Sequence, residues 1–309
     1  MADKKELHKS RIGGQALIEG VMMKGVKKGA MACRLPSGEI DIETWDEKND
    51  NLPWFRKAPV IRGVFNFIYS MKDGYRCLMK SAEKQMTEEE LEEEKKEAET
   101  LSAKAMNVIM SIAMVVSVVL AVGLFVFLPK WLVNFVEPLT VNRFVRTLAE
   151  GILKIIIFLG YLWLTSLMKD VKRTYEYHGA EHKTIACFEA GEELTVENVK
   201  KFTRFHPRCG TSFMFITLII SILIMCLIPF TVVWQRVISS LILLPLMVGI
   251  SYEFIRLAGR HTNWFTKAVS APGLYVQRLT TREPDASQIE IAIAALKPCI
   301  PENLEEDKW

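Results

Sequence analysis

The chain has 309 residues, of which 50% are hydrophobic and 24% are charged, and its positive mean hydropathy of +0.16 favours insertion into a membrane. A formal net charge of +3, with basic residues spread along the chain, excludes nucleic acid as an expected partner. Six scattered cysteines without a Cys-x-x-Cys pair exclude a secreted disulfide framework.

We predict that residues 1–57 form a cytosolic segment that contains β-structure. A Pro-Ser-Gly-Glu turn separates two strand-like runs in MACRLPSGEIDIETW, which predicts a small N-terminal β-hairpin. The glycines of the preceding RIGGQALIEGVMMKG do not follow a P-loop or dinucleotide-binding spacing. Glu19 stands alone in this apolar run. If it is buried, it needs an arginine or a metal partner or has a raised pKa; otherwise it lies on an exposed strand face.

We predict that residues 58–104 form two helices, one amphipathic and one highly charged. Apolar side chains recur three or four positions apart over residues 58–82, which indicates an amphipathic helix. Charged residues interrupt it too often for a span, so we expect it to lie on the bilayer surface or pack against the spans. The charge run at residues 87–99 predicts a solvated helix without chemistry.

Four segments are long and apolar enough to cross a hydrocarbon core, which takes about 20 helical residues. They cover residues 106–128, 151–168, 211–230 and 237–257. We therefore expect transmembrane helices 1 and 2 within residues 105–168 and helices 3 and 4 within residues 211–258. Lys154 lies near one end of the second span, where its ammonium group is expected to snorkel to the interface.

The distribution of basic residues between the spans predicts the orientation. The connection at residues 169–210 carries eight Lys or Arg residues, the first connection carries three and the last carries one. Cytosolic loops hold the excess of Lys and Arg, and the charged N-terminus lacks the apolar run of a signal peptide. We expect a multi-pass protein of the cytoplasmic membrane with both termini in the cytosol.

Residues 259–309 form the last predicted cytosolic segment. APGLYVQRLTTREPD predicts a proline-containing loop, and ASQIEIAIAALK predicts a short amphipathic helix capped by Asp285 or Ser287. Arg282 and Glu283, beside a proline in TTREPD, are candidates for a functional role or for an ordinary capped turn.

The stretch EYHGAEHKTIACFEAG predicts part of a metal site within the cytosolic connection. On a helix over residues 174–190, ended by Gly191, His178 and His182 project from one face a turn apart, close enough to share an ion. With Glu181 they form His-x-x-Glu-His, the inverted zincin pattern, in which the glutamate activates water. Gly179 costs about 1 kcal/mol in a helix, which suggests close approach of another backbone or a substrate, or a turn.

A second motif, FHPRCG, adds His206 and Cys209, which gives four donors of the kinds that bind zinc. If all four bind, the site is closed and structural; if three bind, water completes it and Glu181 is a candidate base for metal-assisted hydrolysis. Three further acidic residues are alternative third ligands: Glu189, Glu192 and Glu193. The alternative to a metal is that the histidines are hydrogen-bonded or surface groups.

Four stretches carry a resemblance to a known family: GGQALIEGVMMKG, YHGAEHKTI, EAGEELTVENVKKFTRFHPRCGTSF and QRLTTREPD. From about Ile12 to Leu296 the chain resembles the YqhQ-like family of bacterial membrane proteins, a family of unknown function whose members have been labelled predicted metal-dependent enzymes. The resemblance implies an integral membrane protein with a suspected metal site. If HGAEHK and HPRCG are the metal motifs of the family, they fall on the five residues His178, Glu181, His182, His206 and Cys209.

The sequence therefore predicts an all-α polytopic membrane protein of about four transmembrane helices with a small α+β cytosolic portion. Its predicted function is metal-dependent hydrolysis at the membrane surface, with a divalent ion, zinc by preference, as cofactor. The alternative is a non-enzymatic scaffold, assembly factor or oligomeric transporter with a structural metal site or none. The expected partners are the lipid bilayer and a second copy of the chain or another membrane protein.

Overall fold

The computed structural model describes residues 8–47, 53–87, 90, 103–136, 142–260 and 263–308. Most of the described chain is helical, and four strands form one sheet. The strands are β1 (Gly13–Leu17), β2 (Gly20–Lys24), β3 (Lys28–Arg34) and β4 (Ile40–Asp46). The helices are α1 (Ile61–Glu83), α2 (Ala103–Val122), α3 (Leu128–Val133), α4 (Arg143–Thr165), α5 (Lys169–Glu189), α6 (Val196–Lys200), α7 (Gly210–Leu227), α8 (Val233–Ile242), α9 (Leu244–Arg260), α10 (Trp264–Thr280) and α11 (Ala286–Leu296).

The chain divides into two compact units. The first, here called the sheet unit, comprises Met1–Gln85, Trp163–Ile216 and Val248–Trp309. The second, here called the bundle unit, comprises Met86–Leu162 and Thr217–Met247. Each unit is described separately below.

The sheet is an antiparallel meander in the order β1-β2-β3-β4. The turn between β3 and β4 is the predicted Pro-Ser-Gly-Glu turn, so the predicted hairpin is confirmed. The glycine-rich stretch before it forms a second hairpin, β1-β2, which the sequence did not predict. Its two-residue turn places Glu19 at a φ of 49°, in the left-handed region that non-glycine residues seldom adopt.

Helices cover both faces of the sheet. On one face, α5 packs against β1 and β2 and α11 packs against β2 and β3, around a core that includes Tyr177, Ile289 and Leu296. On the other face, Cys77 of α1 packs against Met31 of β3. Because both faces are covered, β2 and β3 are buried along almost their whole length instead of alternating. The predicted amphipathic helix at residues 58–82 is confirmed as α1.

In the described part of the chain, three helices are long and apolar enough to cross a membrane. They are Ser111–Val133, which runs from α2 through a π-helical turn into α3, then Arg143–Thr165 and Gly210–Leu227. A fourth span is obtained if α8 and α9, which are bent by 51° at their junction, are taken together. Three to four helices of spanning length agree with the prediction, but α4 begins at Arg143 instead of at residue 151.

The early start of α4 follows from buried charges in the bundle unit. Arg146 and Glu150 lie inside the bundle, where Arg236 of α8 donates to Glu150 Oε2 at 2.8 Å. Lys154, expected to snorkel to the interface, is instead buried and donates to Ser221 Oγ at 3.2 Å. That expectation was wrong because a partner on α7 satisfies the ammonium group inside the bundle. The mean hydropathy of a sequence segment does not reveal a polar contact between two helices, such as that between Lys154 and Ser221.

The C-terminal segment differs from the prediction in one element. Residues 264–280, read in part as a loop, form the helix α10 with Pro272 inside it. Gly273 next to this proline brings α10 onto the start of α7, because a Cβ at Gly273 would lie 2.7 Å from the Cβ of Ser212. The following helix, α11, begins as predicted, with Asp285 accepting from Gln288 in a capping box. The charge run predicted at residues 87–99 lies, apart from residues 87 and 90, outside the described residues.

Candidate metal centre

Helix α5 carries two of the predicted donors on one face. Residues 169–189 form an uninterrupted helix. Gly191, two residues after its last residue, has a φ of 67°, the left-handed conformation that terminates helices. The imidazole rings of His178 and His182, one turn apart, have their centroids 4.4 Å apart. The predicted helix is therefore confirmed, although it begins at Lys169 instead of at residue 174.

Cys209 completes a group of three donors. It directly precedes α7, and its Sγ lies 3.2 Å from His178 Nε2. The ligand atoms of His178, His182 and Cys209 all lie within 4.8 Å of one another. In a tetrahedral zinc site with bonds of about 2.1–2.3 Å, ligand atoms are about 3.5 Å apart, so small side-chain movements would bring all three onto one ion.

Backbone carbonyls fix the orientation of both imidazoles. His178 Nδ1 lies 2.8 Å from Thr280 O, and His182 Nδ1 lies 2.6 Å from Arg204 O. Because a carbonyl oxygen only accepts, each Nδ1 must carry the proton. The neutral form of each ring then has its lone pair on Nε2, as metal-binding histidines require.

The side chains of Cys209 and His178 form a charged pair, and a metal ion would displace the proton of His178 Nε2. Burial acts to raise the pKa of Cys209, but His178 and His182 outweigh it and lower that pKa well below its ordinary value. Burial likewise acts to lower the pKa of His178, but the neighbouring Cys209 outweighs it and raises the pKa to about 9. The lowered pKa of Cys209 favours the thiolate, which is the form that binds metals.

Glu181 lies beside the donors and is only 4% exposed. The backbone N–H of Gly14 donates to its carboxylate, and burial raises its pKa above the ordinary value. Its Oε2 is buried and has no hydrogen-bond partner within the described residues. A buried carboxylate oxygen without a partner is costly, and a ligand at the adjacent donors would relieve that cost.

Glu19, whose partner the sequence left open, pairs with an arginine. Arg173 Nη2 donates to Glu19 Oε2 at 2.6 Å, and the Tyr177 hydroxyl lies 3.1 Å from the same oxygen. Both partners lie on α5, Tyr177 directly before His178 and Arg173 five residues before it. The β1-β2 turn is thereby tied to the helix that carries the histidines, and Glu19 does not join the three donors.

His206 lies next to the group without joining it. Its ring centroid is 5.5 Å from that of His182, while its Nε2 lies 3.4 Å from Arg208 Nη2 and 3.8 Å from Glu189 Oε2. Burial lowers the pKa of His206, which favours the neutral ring. The structure thus gathers three of the four predicted donors, and the participation of His206 stays a prediction.

Arg282 and Glu283 support α5 from outside the donor group. A Cβ at Gly179 would lie 2.0 Å from Arg282 O, so the close backbone approach predicted for this glycine is confirmed. Glu283 forms an ion pair with the buried Lys183 of α5. Neither side chain is among the three gathered donors.

Sequence analysis missed several groups that position the donors, because residue types do not reveal where backbone atoms lie in the fold. The carbonyls of Arg204 and Thr280 carry no residue-type signal. Gln277 accepts from the N–H of His206 at 2.8 Å and donates to its carbonyl at 2.7 Å, which positions the FHPRCG segment. It lies on α10, where the sequence predicted a loop.

The fold and the site together define a class of protein: helices of membrane-spanning length joined to an α/β layer that holds a His/His/Cys cluster. A family model described as "Protein of unknown function (DUF1385)" matches residues 58–302. Uncharacterized protein YqhQ of Bacillus subtilis (strain 168) is 35% identical over 284 residues, which cover 91% of this chain and 89% of that protein. No solved structure matches the chain. The chain belongs to the DUF1385 family, as the resemblance to YqhQ-like proteins indicated.

Proposed function

We propose that the protein is a metal-dependent hydrolase of the cytoplasmic membrane that holds a divalent ion, zinc by preference, at His178, His182 and Cys209. The convergence of three donor atoms within 4.8 Å supports this proposal most directly. Two nitrogen donors and one thiolate form a set that zinc favours, and three protein ligands leave a position for water. In the proposed orientation, the sheet unit faces the cytosol and receives a membrane-derived or membrane-delivered substrate.

Each residue of the site has a distinct role in the proposed reaction. The two carbonyls hold His178 and His182 through Nδ1, so that Nε2 of each ring would be the atom that binds the ion. A bound zinc ion supplies Lewis acidity and lowers the pKa of its water to about 7. Glu181 has an Oε2 without a hydrogen-bond partner in the described residues and accepts a hydrogen bond from the Gly14 N–H, so it would be the base that takes a proton from such a water. His178 is the least buried of the three donors, and we infer that the water of the reaction enters from its side.

The alternative function is non-enzymatic, with the ion clamping α5 to the start of α7 in a scaffold, assembly factor or oligomeric transporter. The observation that favours it is burial, because His182, Cys209 and Glu181 are nearly inaccessible to solvent. A structural site requires a fourth protein donor, for which His206 is the nearest histidine. A thiolate beside an imidazole is also the arrangement of a nucleophilic cysteine. A protein that uses Cys209 as a nucleophile would contain no metal at these donors, so its metal content distinguishes the two functions.

Elemental analysis of the purified protein tests the proposal. We expect near-stoichiometric zinc or another divalent metal that is lost in His182→Ala and Cys209→Ser but retained in Cys226→Ser, a control cysteine outside the cluster. Glu181→Gln should retain the metal and lose hydrolytic activity. Metal loss in His206→Ala would identify the closed, structural site instead. A folded, stable and metal-free wild-type protein would overturn the metal proposal.

A further inference from the structure

A cavity of about 260 Å³ in the sheet unit is lined mainly by cationic side chains. It lies where the beginning of α1 meets the end of α9. The lining residues are Arg11, Arg56, Lys57, Arg62, Asn66, Tyr252, Arg256 and Arg260. In the described residues this lining contains six cations and no carboxylate, so the cavity is suited to an anion.

The local structure explains why these side chains meet. Tyr252, Arg256 and Arg260 are spaced four residues apart and therefore share one face of α9. Gly63 allows α1 to approach that face, because a Cβ there would lie 2.6 Å from the Cβ of Tyr252. Val60, just before α1, adopts a φ of 69°, and its N–H donates to Glu253 Oε1 at 3.1 Å. A β-branched residue in this conformation is strained, so the contacts around the junction hold it in place.

The positive charges of the lining lie close together around one neighbouring carboxylate, Glu253. Glu253 forms an ion pair with Arg62 through two hydrogen bonds, one of them 2.7 Å long. Arg256 and Arg260 are like charges one turn apart on α9, a spacing that destabilises a helix. The guanidinium of Arg56 stacks on Phe65 at 4.7 Å, and its buried Nε has no hydrogen-bond partner in the part of the chain that the structure describes. Arg56 Nη1 donates to the Tyr69 hydroxyl at 2.7 Å, so an anion in the cavity would give the remaining Nε a partner and reduce the repulsion between the cations.

The surroundings of the cavity match the headgroup region of a bilayer. In the proposed orientation, α9 leaves the membrane at Arg260, on the cytosolic side. Trp54, which is 81% exposed, and the exposed Phe55 and Tyr69 surround the same junction. Exposed aromatic rings are typical of the membrane–water interface, and basic pockets beside cytosolic helix ends bind phosphorylated headgroups.

We propose that this cavity binds a phosphate ester, carried by an anionic phospholipid of the cytosolic leaflet. The guanidinium groups would donate to the phosphate oxygens, an interaction for which their fork geometry is suited. The inference rests on the proposed membrane orientation but not on the metal or on hydrolysis. Failure of lipid binding and failure of metal binding are therefore separate outcomes.

The test uses the full-length protein in nanodiscs of phosphatidylcholine, with or without phosphatidylglycerol, and measures the thermal unfolding midpoint and retained lipid by native mass spectrometry. We expect phosphatidylglycerol to raise the midpoint and to be retained preferentially. Arg56→Gln/Arg260→Gln should lower lipid affinity about 30-fold, as expected for two juxtamembrane cations. The matched control, Lys267→Gln/Arg278→Gln, removes two exposed cations from α10, outside the cavity, and should bind as the wild type does.

Two results would overturn the proposal. One is equal loss of phosphatidylglycerol affinity in the cavity variant and the control. The other is saturation of the cavity by inorganic phosphate with no preference for the anionic lipid, which would identify a site for free phosphate. The midpoint in phosphatidylcholine alone reports whether the double variant folds. If it does not, Lys57→Gln, at an exposed lining position, should still weaken lipid retention.

Discussion

Two glycines bring other parts of the chain against the helix that carries the histidines. At Gly179 the absent side chain makes room for the carbonyl of Arg282, and at Gly14 it makes room for Glu181. A Cβ at Gly14 would lie 2.5 Å from Met22 O and 3.0 Å from Glu181 Cδ. The N-terminal GGQ motif is therefore part of the candidate site through its backbone, although none of its side chains belongs to the donor group.

Substitutions at Gly13 and Gly14, which are adjacent in β1, distinguish the contact between Gly14 and Glu181 from general effects of alanine on the strand. Gly14→Ala should push Glu181 away from the donors, lower the free energy of unfolding by about 1–3 kcal/mol through overpacking and reduce the hydrolytic activity proposed above. Gly13→Ala is the matched control, because a Cβ at Gly13 meets no atom within 4 Å. Chemical denaturation of both variants provides the measurement. Equal stability of the two would show that the contact between Gly14 and Glu181 does not constrain the site.

Within the bundle unit, ionic contacts join α4 to α8. Arg236 is fully buried and donates to Glu150 and to Thr147 Oγ1, the latter at 2.8 Å. Arg146 donates to the same carboxylate from one turn earlier on α4. A buried carboxylate that accepts from two arginines pairs the helices in one register, because a shift of either helix would leave charges without partners.

Removal of one partner from a buried pair costs about 3–5 kcal/mol, since the other charge remains buried. We expect Arg236→Met to lower the unfolding midpoint strongly and to reduce the yield of folded protein in detergent. Arg143→Met removes an exposed arginine at the beginning of α4 and should have little effect. Thermal unfolding followed by circular dichroism compares the two. Similar midpoints would mean that water or another group compensates Glu150 inside the bundle.

The sequence predicts individual elements better than the contacts between them. The hairpin at the Pro-Ser-Gly-Glu turn, the amphipathic α1 and the cap at Asp285 are local signals, and each is confirmed. The helix α10 was missed because Pro272 normally interrupts helices, while its packing against Ser212 depends on residues far away in the chain. For the same reason the sequence predicted the donors but not the carbonyls that orient them.

At the scale of the whole molecule, the positions of the donors explain how distant motifs form one site. His178 and His182 lie on α5, Cys209 lies at the start of α7, and the orienting carbonyl of Thr280 lies at the end of α10. If α4 and α7 span the membrane as proposed, the segment that carries the three donors is joined to a membrane span at each of its ends. The metal centre would then lie near the membrane surface, on the same side as the basic cavity.

Cysteine accessibility in intact cells tests this arrangement, which places the connection between α7 and α8 outside the cell and the C-terminus in the cytosol. A membrane-impermeant maleimide should label Thr231→Cys directly but should label Glu302→Cys only after lysis, since both positions are exposed and differ only in the predicted side of the membrane. The native cysteines give little background, because five are buried and Cys226 lies half-buried within α7. The reverse labelling pattern would place the three donors outside the cytosol and contradict the Lys/Arg distribution. Labelling of both positions in intact cells would place them on the same side of the membrane, with an even number of spans between them, as expected if α8 and α9 form a re-entrant pair.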